Sequence, residues 1–206
     1  MLAPFFINEC KNGIADTGIK PGILKCATGP SGLTPDNQCK LKTMATVQKE
    51  TALALYVHCD HRENIAHGQI DLLLEGGASA ERLIIGHAAI RHGADYLAGI
   101  LERGCYVCMD QCHCFDRSIA DIGRSLAQLC ERGYTERLLI SNDYCIHSDF
   151  PSHQRNGFDL GAKDHAQSLG YVFIKLHAAF IAAGGREEDW CTVVRENPLR
   201  ALDVDQ

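Results

Sequence analysis

The sequence predicts an α/β fold of the (β/α) barrel type, with about five strand–helix units present. Short, almost continuous apolar runs alternate with longer helix-like segments along the 206 residues, and this alternation is typical of a parallel sheet. Strands that are apolar throughout are buried on both faces, as barrel strands are. A closed barrel needs eight strands and typically about 250 residues. We therefore expect residues 1–206 to form one domain, an incomplete barrel without its first three strands.

The elements follow one another in a regular order. A helix is expected over 2–15, closed by Asp16-Thr17-Gly18. Apolar runs predict strands at 22–27, 54–58, 82–86, 105–109 and 137–142. Helices are expected from Thr34 to about 52, then over about 63–75, 93–103, 118–132, 164–183 and 187–195. Pro35 suits a first helical turn, and Gly76, Gly104 and Gly133 follow three of the helices as stop signals.

Composition excludes several classes of function. The net charge of −6 gives no basic field for nucleic acid. No stretch approaches the roughly 18 to 20 uncharged apolar residues of a membrane span. The first residues lack the basic region of a signal peptide, so a cytoplasmic location is the expectation. The eleven cysteines are then expected to be free thiols.

Polar residues recur at the ends of the apolar runs. They are Lys25, His58, His87, Asp110 and Asp143. Roughly 30 residues, the length of one strand-plus-helix unit, separate each from the next. They would then occupy equivalent positions at the carboxyl ends of successive strands, where β/α barrels carry out chemistry. Imidazoles and carboxylates there could share a metal ion. A buried, neutral lysine could react with carbon dioxide, and the resulting carbamate is an anionic oxygen donor.

Simpler interpretations stay open for each of these residues. A histidine after a strand is often structural, an aspartate there is often a helix cap, and a lysine is usually solvated. A Cys59–His58 nucleophile pair is disfavoured, because neighbours on a strand point to opposite faces.

A cysteine-rich segment offers an alternative metal site. Its members are Cys105, Cys108, Cys112, His113 and Cys114. Their spacing lacks the two separated pairs of a structural zinc site. Cys105 and Cys108 would also face opposite sides of a strand, so this site is disfavoured.

Longer motifs are more specific than the spacing. They are GIADTGIKPGILK at 13–25, Val57-His58, Glu75-Gly76-Gly77 with Glu81-Arg82, IIGH at 84–87, Arg132-Gly133-Tyr134, LISND at 139–143 and ENPLR at 196–200. In this order, and over nearly the whole chain, they resemble the phosphotriesterase family, which includes lactonase-like members, within the amidohydrolase superfamily.

The resemblance implies a TIM-barrel hydrolase with two divalent metals, usually zinc, at the rim. Lys25 would be the carboxylated lysine that bridges them, and His58 and His87 would bind the more exposed ion. Asp143 would bind the more buried ion and accept a proton from the bridging hydroxide. The metals would lower the pKa of that water and polarise a P=O or C=O group. The expected substrate is a small ester, lactone or phosphotriester.

The substrate side of the site is less defined. Asp110, Gln111 and Tyr144 are the expected substrate-binding residues. Many family members carry an acidic residue after the second metal-binding histidine and a histidine or arginine after the aspartate of the seventh strand. Here those positions hold Ile90 and Gln111, which puts efficient phosphotriester hydrolysis in doubt.

The sequence also departs from the family in its metal ligands. The family's first strand carries a His-x-His pair that completes the buried metal site, and this sequence has none. One zinc ion instead of two is therefore an alternative. So is a catalytically weak or inactive barrel fragment that binds a metal or a partner chain. Exposed sheet edges recruit other strands, so the partner could be a second copy, giving a homodimer, or a separate amino-terminal piece. A truncated gene model of an ordinary enzyme is a third interpretation.

Overall fold

Five parallel strands form the sheet of this protein. The structure is a computed structural model that describes residues 2–60, 65–112, 117–143, 170 and 172–202. The strands are β1 Leu24–Ala27, β2 Leu55–His58, β3 Leu83–Gly86, β4 Tyr106–Met109 and β5 Leu138–Ile140. Their order in the sheet is the order in the chain, and every neighbouring pair is parallel. The predicted β/α units are therefore confirmed. Among the described residues the sheet does not close into a full barrel.

Helices precede, connect and follow the strands, and most of them pack on the outer face of the sheet. They are α1 Ala3–Asn12, α2 Pro35–Thr51, α3 Ala66–Glu75, α4 Ala94–Leu101, α5 Ile119–Glu131, α6 His177–Ala182, α7 Glu187–Cys191 and α8 Asn197–Leu202. Two begin at side-chain caps, because Thr34 Oγ1 accepts from the Asn37 amide and Ser118 Oγ accepts from the Asp121 amide. Short 3₁₀ turns, Ala80–Arg82 and Thr135–Arg137, lead into β3 and β5.

Two helical segments differ from the prediction. Helix α1 stops at Asn12, because Gly13 adopts a φ of 106° and a Cβ there would overlap the backbone of Gly18. The segment expected to end at 195 continues through a wide π-type turn, Thr192–Glu196, into α8. Directly after this turn, the side-chain Nδ2 of Asn197 donates to the carbonyls of Thr135 and Leu138, both at 2.7 Å. Much of the predicted 164–183 helix lies outside the described residues.

The sheet separates two apolar clusters. The larger lies between the outer face and the helices. The smaller occupies the inner face, toward the barrel axis, and comprises Ala54, Ile84, Tyr106, Cys108, Leu139 and Ala201, with Tyr56 packed against it. Cys105 belongs to the outer cluster and Cys108 to the inner one, so they face opposite ways as predicted.

The inner face becomes more open toward β1. On that strand Leu24 and Cys26 are buried, whereas Lys25 and Ala27 are exposed. No described helix is both long and apolar enough to cross a membrane. The nine cysteines that the structure describes are free thiols.

Candidate active site at the carboxyl rim

Two histidines lie side by side where strands β2 and β3 end. His58 is the last residue of β2, and His87 follows the last residue of β3. The parallel register pairs His58 with Gly86, which brings the two rings to a centroid distance of 4.3 Å with an interplanar angle of 67°. The structure therefore confirms the prediction that the imidazoles of His58 and His87 lie close together.

Lys25 lies two residues before the carboxyl end of its strand, whereas the spacing predicts it at that end. It is the second residue of β1, in register with Tyr56, and it is Ala27 that pairs with His58. The strand continues past the lysine because Cys26 packs into the outer core. The expectation of equivalent strand-end positions is thus wrong for Lys25. Its Nζ lies over the ring of Tyr56, 4.0 Å from the centroid, a contact that suits an ammonium. A carbamate is negatively charged, so carboxylation requires Lys25 to turn away from that ring face.

A buried carboxylate holds His87. Asp110 follows β4 and is 1% exposed. Its Oδ1 lies 3.0 Å from His87 Nδ1, and both of its oxygens accept from the His87 backbone amide at 3.1 Å. Tyr56 donates its hydroxyl to Asp110 Oδ2 at 2.5 Å. An ionised carboxylate accepts but cannot donate, so Nδ1 of His87 carries a proton in this network, and in the neutral form of the ring the lone pair is then on Nε2.

The electrostatic surroundings favour uncharged forms of the neighbouring groups. Burial, followed by the neighbouring His87 and Lys25, lowers the pKa of His58 to about 4, against the opposing influence of Asp110 and Asp60. His58 is therefore neutral at pH 7, the form that binds metals. Burial, with Cys108 and Asp110 nearby, raises the pKa of Tyr56, so its hydroxyl stays protonated and can donate.

The last two strand ends bring Gln111 and Asp143 together. Gln111 Nε2 donates to Asp143 Oδ2 at 2.5 Å, and the same oxygen lies 3.9 Å from His87 Nδ1. His87, Gln111 and Asp143 have φ values of 64°, 50° and 46°. Such left-handed backbone is uncommon in residues with a side chain and concentrates at functional sites. Tyr144, the remaining predicted site residue, lies outside the described residues, as do His113 and Cys114 of the alternative cysteine site.

The imidazole and carboxylate groups at the rim are of the types that bind divalent transition metals, but too few of them converge to form a complete site. Imidazole and carboxylate are the ligands that zinc takes, and the Nδ1–H of His87 on Asp110 is the usual outer contact of a metal-binding histidine. However, no group of three or more His, Cys, Asp or Glu side chains in the described part of the chain could hold a metal ion. The set fits part of a metal site, and it needs a carboxylated Lys25 or ligands from elsewhere to be complete.

Several residues that position this site were not predicted. Tyr56 precedes His58 by two residues and so shares its strand face, a signal that the sequence did contain. Gln69 of α3 donates to Thr28 Oγ1 at 2.7 Å and to the His58 carbonyl at 3.1 Å. Arg117 donates to the carbonyls of Ala89 and His92 at 3.0 and 2.6 Å, which fixes the segment after His87. Gln69 and Arg117 act through long-range contacts, which no local pattern reveals.

The sheet is parallel, and two histidines and two aspartates lie at its carboxyl rim. These features place the protein in the class of β/α-barrel proteins that carry a polar site at the ends of the strands. The sequence profile of the phosphotriesterase family matches residues 1–202. A phosphotriesterase homology protein of Mycobacterium tuberculosis is 33% identical over 153 residues, covering 72% of this chain and 46% of that protein. The chain belongs to the phosphotriesterase family, a family of hydrolases.

Two further comparisons agree with this membership. An aryldialkylphosphatase of Saccharolobus solfataricus is 28% identical over 201 residues, covering 97% of this chain and 63% of that protein. The solved structure of the phosphotriesterase from Mycobacterium tuberculosis superposes with a TM-score of 0.85 at 28% identity, over 98% of this chain and 61% of that one. The fold is therefore that of the TIM-barrel phosphotriesterases. The chain spans about half to two thirds of the length of these relatives.

Proposed function

We propose that this chain supplies the later strands of a metal-dependent hydrolase that cleaves an ester, lactone or phosphotriester. The observation that carries the proposal is the arrangement of His58, His87 and Asp110. Two adjacent imidazoles, one held by a buried carboxylate with its Nε2 free, stand at the rim of a chain of this family. A bound divalent ion would supply Lewis-acid activation of water and of the substrate's P=O or C=O group.

Each rim residue has a role in this proposal. His58 and His87 would bind one ion, zinc being the expected metal, and Lys25 as a carbamate would bridge to a second. Asp143 would bind the second ion and accept a proton at its carboxylate. Gln111 and Tyr144 would line the substrate side. Asp110 was expected there too, but it is 1% exposed and its oxygens contact Tyr56 and His87, so its role would be to hold the His87 ring. The sequence has no His-x-His pair, so two further histidines would have to come from outside these residues.

Metal content and turnover together test the proposal. The purified chain would be loaded with zinc, desalted and analysed for metal per chain, then assayed with an aryl ester, a lactone and a phosphotriester. About two zinc ions per chain with turnover of one substrate supports a competent hydrolase. At most one ion and no turnover would show that this chain is not a competent hydrolase by itself.

Lys25→Ala tests the carbamate role. We expect the variant to lose bridging and all activity, with bicarbonate and a short carboxylic acid restoring part of it. Lys20→Ala, at an exposed lysine of the same segment, is the matched control and should retain both metal and rate. Unchanged metal content and rate in Lys25→Ala would exclude the carbamate.

The open inner face favours a second candidate, a weak or inactive barrel fragment that binds a metal or a partner chain. Lys25 and Ala27 are exposed on β1, and the described residues offer no group of three His, Cys, Asp or Glu ligands. This candidate predicts at most one metal per chain and no turnover. Sedimentation velocity would show whether the chain pairs with a second copy.

A further inference from the structure

Tyr56 has contacts that none of the roles above explains. Its hydroxyl donates to Asp110 Oδ2 at 2.5 Å, across a separation of 54 residues in sequence. Its ring lies under Lys25 Nζ and shares a strand face with His58. The phenol thus stands between the lysine of β1 and the aspartate of β4, at the centre of the inner face.

Tyr56 packs closely against the end of β3. A Cβ on Gly86, the residue before His87, would overlap the hydroxyl end of the Tyr56 ring. The phenol therefore lies directly against the backbone that carries His87. Cys108, also on the inner face, is a further neighbour of Tyr56.

Asp110 depends on this hydroxyl. Its carboxylate is buried beside the apolar side chains of the inner cluster, and its oxygens contact the His87 amide, the His87 ring and the Tyr56 hydroxyl. Of these three groups, the Tyr56 hydroxyl is the one that does not belong to His87. A buried acceptor that loses a donor is strongly destabilised, so without the hydroxyl the carboxylate would rotate or draw in water.

We propose that Tyr56 is a positioning residue that acts through Asp110 to hold the His87 ring with Nε2 free for a metal. The inference rests on the proposed function for the identity of the ligand at Nε2. The hydrogen-bond chain from Tyr56 to Asp110 to His87 stands independently of it. Losing the direct partner of a metal-binding histidine, as Asp110 would be, typically changes metal affinity by about 10- to 100-fold, and Tyr56 acts on that partner.

Tyr56→Phe in the full chain tests the proposal, because it removes the hydroxyl and keeps the ring under Lys25. Nitrogen-15 NMR of the histidine side chains in metal-free protein reports the tautomer of His87, and cobalt(II) titration reports affinity. We expect the wild type to be the Nδ1–H tautomer. The variant should show a tautomer mixture and bind cobalt about tenfold or more weakly.

Tyr106→Phe is the matched control. Tyr106 lies in the same inner cluster, and its ring faces Arg137 at 5.0 Å from the centroid. This substitution should leave the His87 tautomer and the cobalt affinity unchanged. A Tyr56→Phe protein with the wild-type tautomer and an affinity within twofold of wild type would overturn the proposal.

Two further results keep the test decisive. If the wild type binds no cobalt, the proposed function fails, yet the tautomer comparison still decides the role of Tyr56. If Tyr56→Phe does not fold, Asp110→Asn replaces it, because an amide can donate to Nδ1 and should shift His87 to the Nε2–H form. An unchanged tautomer in Asp110→Asn would equally overturn the relay.

Discussion

Gly86 both ends strand β3 and leaves space for the Tyr56 ring beside His87. It ends β3, it precedes His87, and the space that a side chain would take is filled by the hydroxyl end of Tyr56. Tyr56 cannot move aside freely, because it is tied to Asp110 at 2.5 Å. The absence of a side chain at Gly86 therefore allows the Tyr56–Asp110–His87 chain to form.

Gly86→Ala should consequently destabilise the protein by about 1 to 3 kcal/mol through overpacking. Urea unfolding would measure the loss. The cost should shrink in a Tyr56→Leu background, which withdraws the ring atoms that the new methyl group meets. Gly22→Ala is the control, since a Cβ at Gly22 meets nothing within 4 Å. An equal cost of Gly86→Ala in the wild-type and Tyr56→Leu backgrounds would contradict the steric explanation.

A buried carboxylate joins helix α7 to the entry of β5. Asp189 is 7% exposed and accepts from Arg186 Nε and Nη2 at 2.8 and 2.9 Å and from Thr135 Oγ1 at 3.1 Å. Thr135 begins the 3₁₀ turn that leads into β5. These bonds place the carboxyl-terminal helices against the strand that precedes Asp143.

This contact predicts a specific dependence of stability on pH. The hydrogen bond from Arg186, then that from Thr135, lowers the pKa of Asp189, against the opposing effect of burial. A lowered folded-state pKa means that the stabilisation is present above the unfolded value of about 3.9 and is lost as the pH falls through the folded value. Asp189→Asn should therefore lower the free energy of unfolding at pH 7 by about 1 to 2 kcal/mol, and by less at pH 3.

Urea unfolding at the two pH values would measure this difference. Asp95→Asn is the matched control, because Asp95 pairs with Arg132 at 2.8 Å while its side chain is 93% exposed, and such surface pairs contribute little. Equal losses in both variants, or a loss in Asp189→Asn that does not change with pH, would argue against the Asp189 contact as the cause.

At the level of elements, the sequence predicted the kinds and order of segments better than their exact ends. Apolar runs, Pro35 in a first helical turn and the glycines that follow helices are local signals, and the corresponding strands and helices are found. Lys25 was placed at the end of an apolar run, yet β1 continues for two residues beyond it to Ala27, as the predicted strand 22–27 also does, and Cys26 packs into the outer core. The contact between the His58 and His87 rings was predicted from the spacing of successive strand–helix units. The Tyr56–Asp110 bond and the Arg117 contacts join distant segments, so local pattern could not supply them.

At the scale of the whole molecule, the edge and the exposed inner face of β1 have a consequence for self-association. The described sheet ends at this strand, and its inner face carries the exposed Lys25 and Ala27. Ile23, which precedes the strand, is 40% exposed. Unpaired edges next to apolar surface pair readily with other chains. We therefore expect the isolated chain to self-associate through β1 as its concentration rises.

Ile23→Lys should weaken that association, because a charge beside the edge strand must be desolvated when two copies meet. We expect the dissociation constant from sedimentation velocity to rise about tenfold, which corresponds to about 1.4 kcal/mol. Leu199→Lys is the control. Leu199 lies on α8 and is 74% exposed, so a general loss of surface hydrophobicity would make this substitution at least as effective. Equal effects of the two substitutions would show that association does not depend on β1. A wild-type chain that stays monomeric at high concentration would show that the edge is already protected.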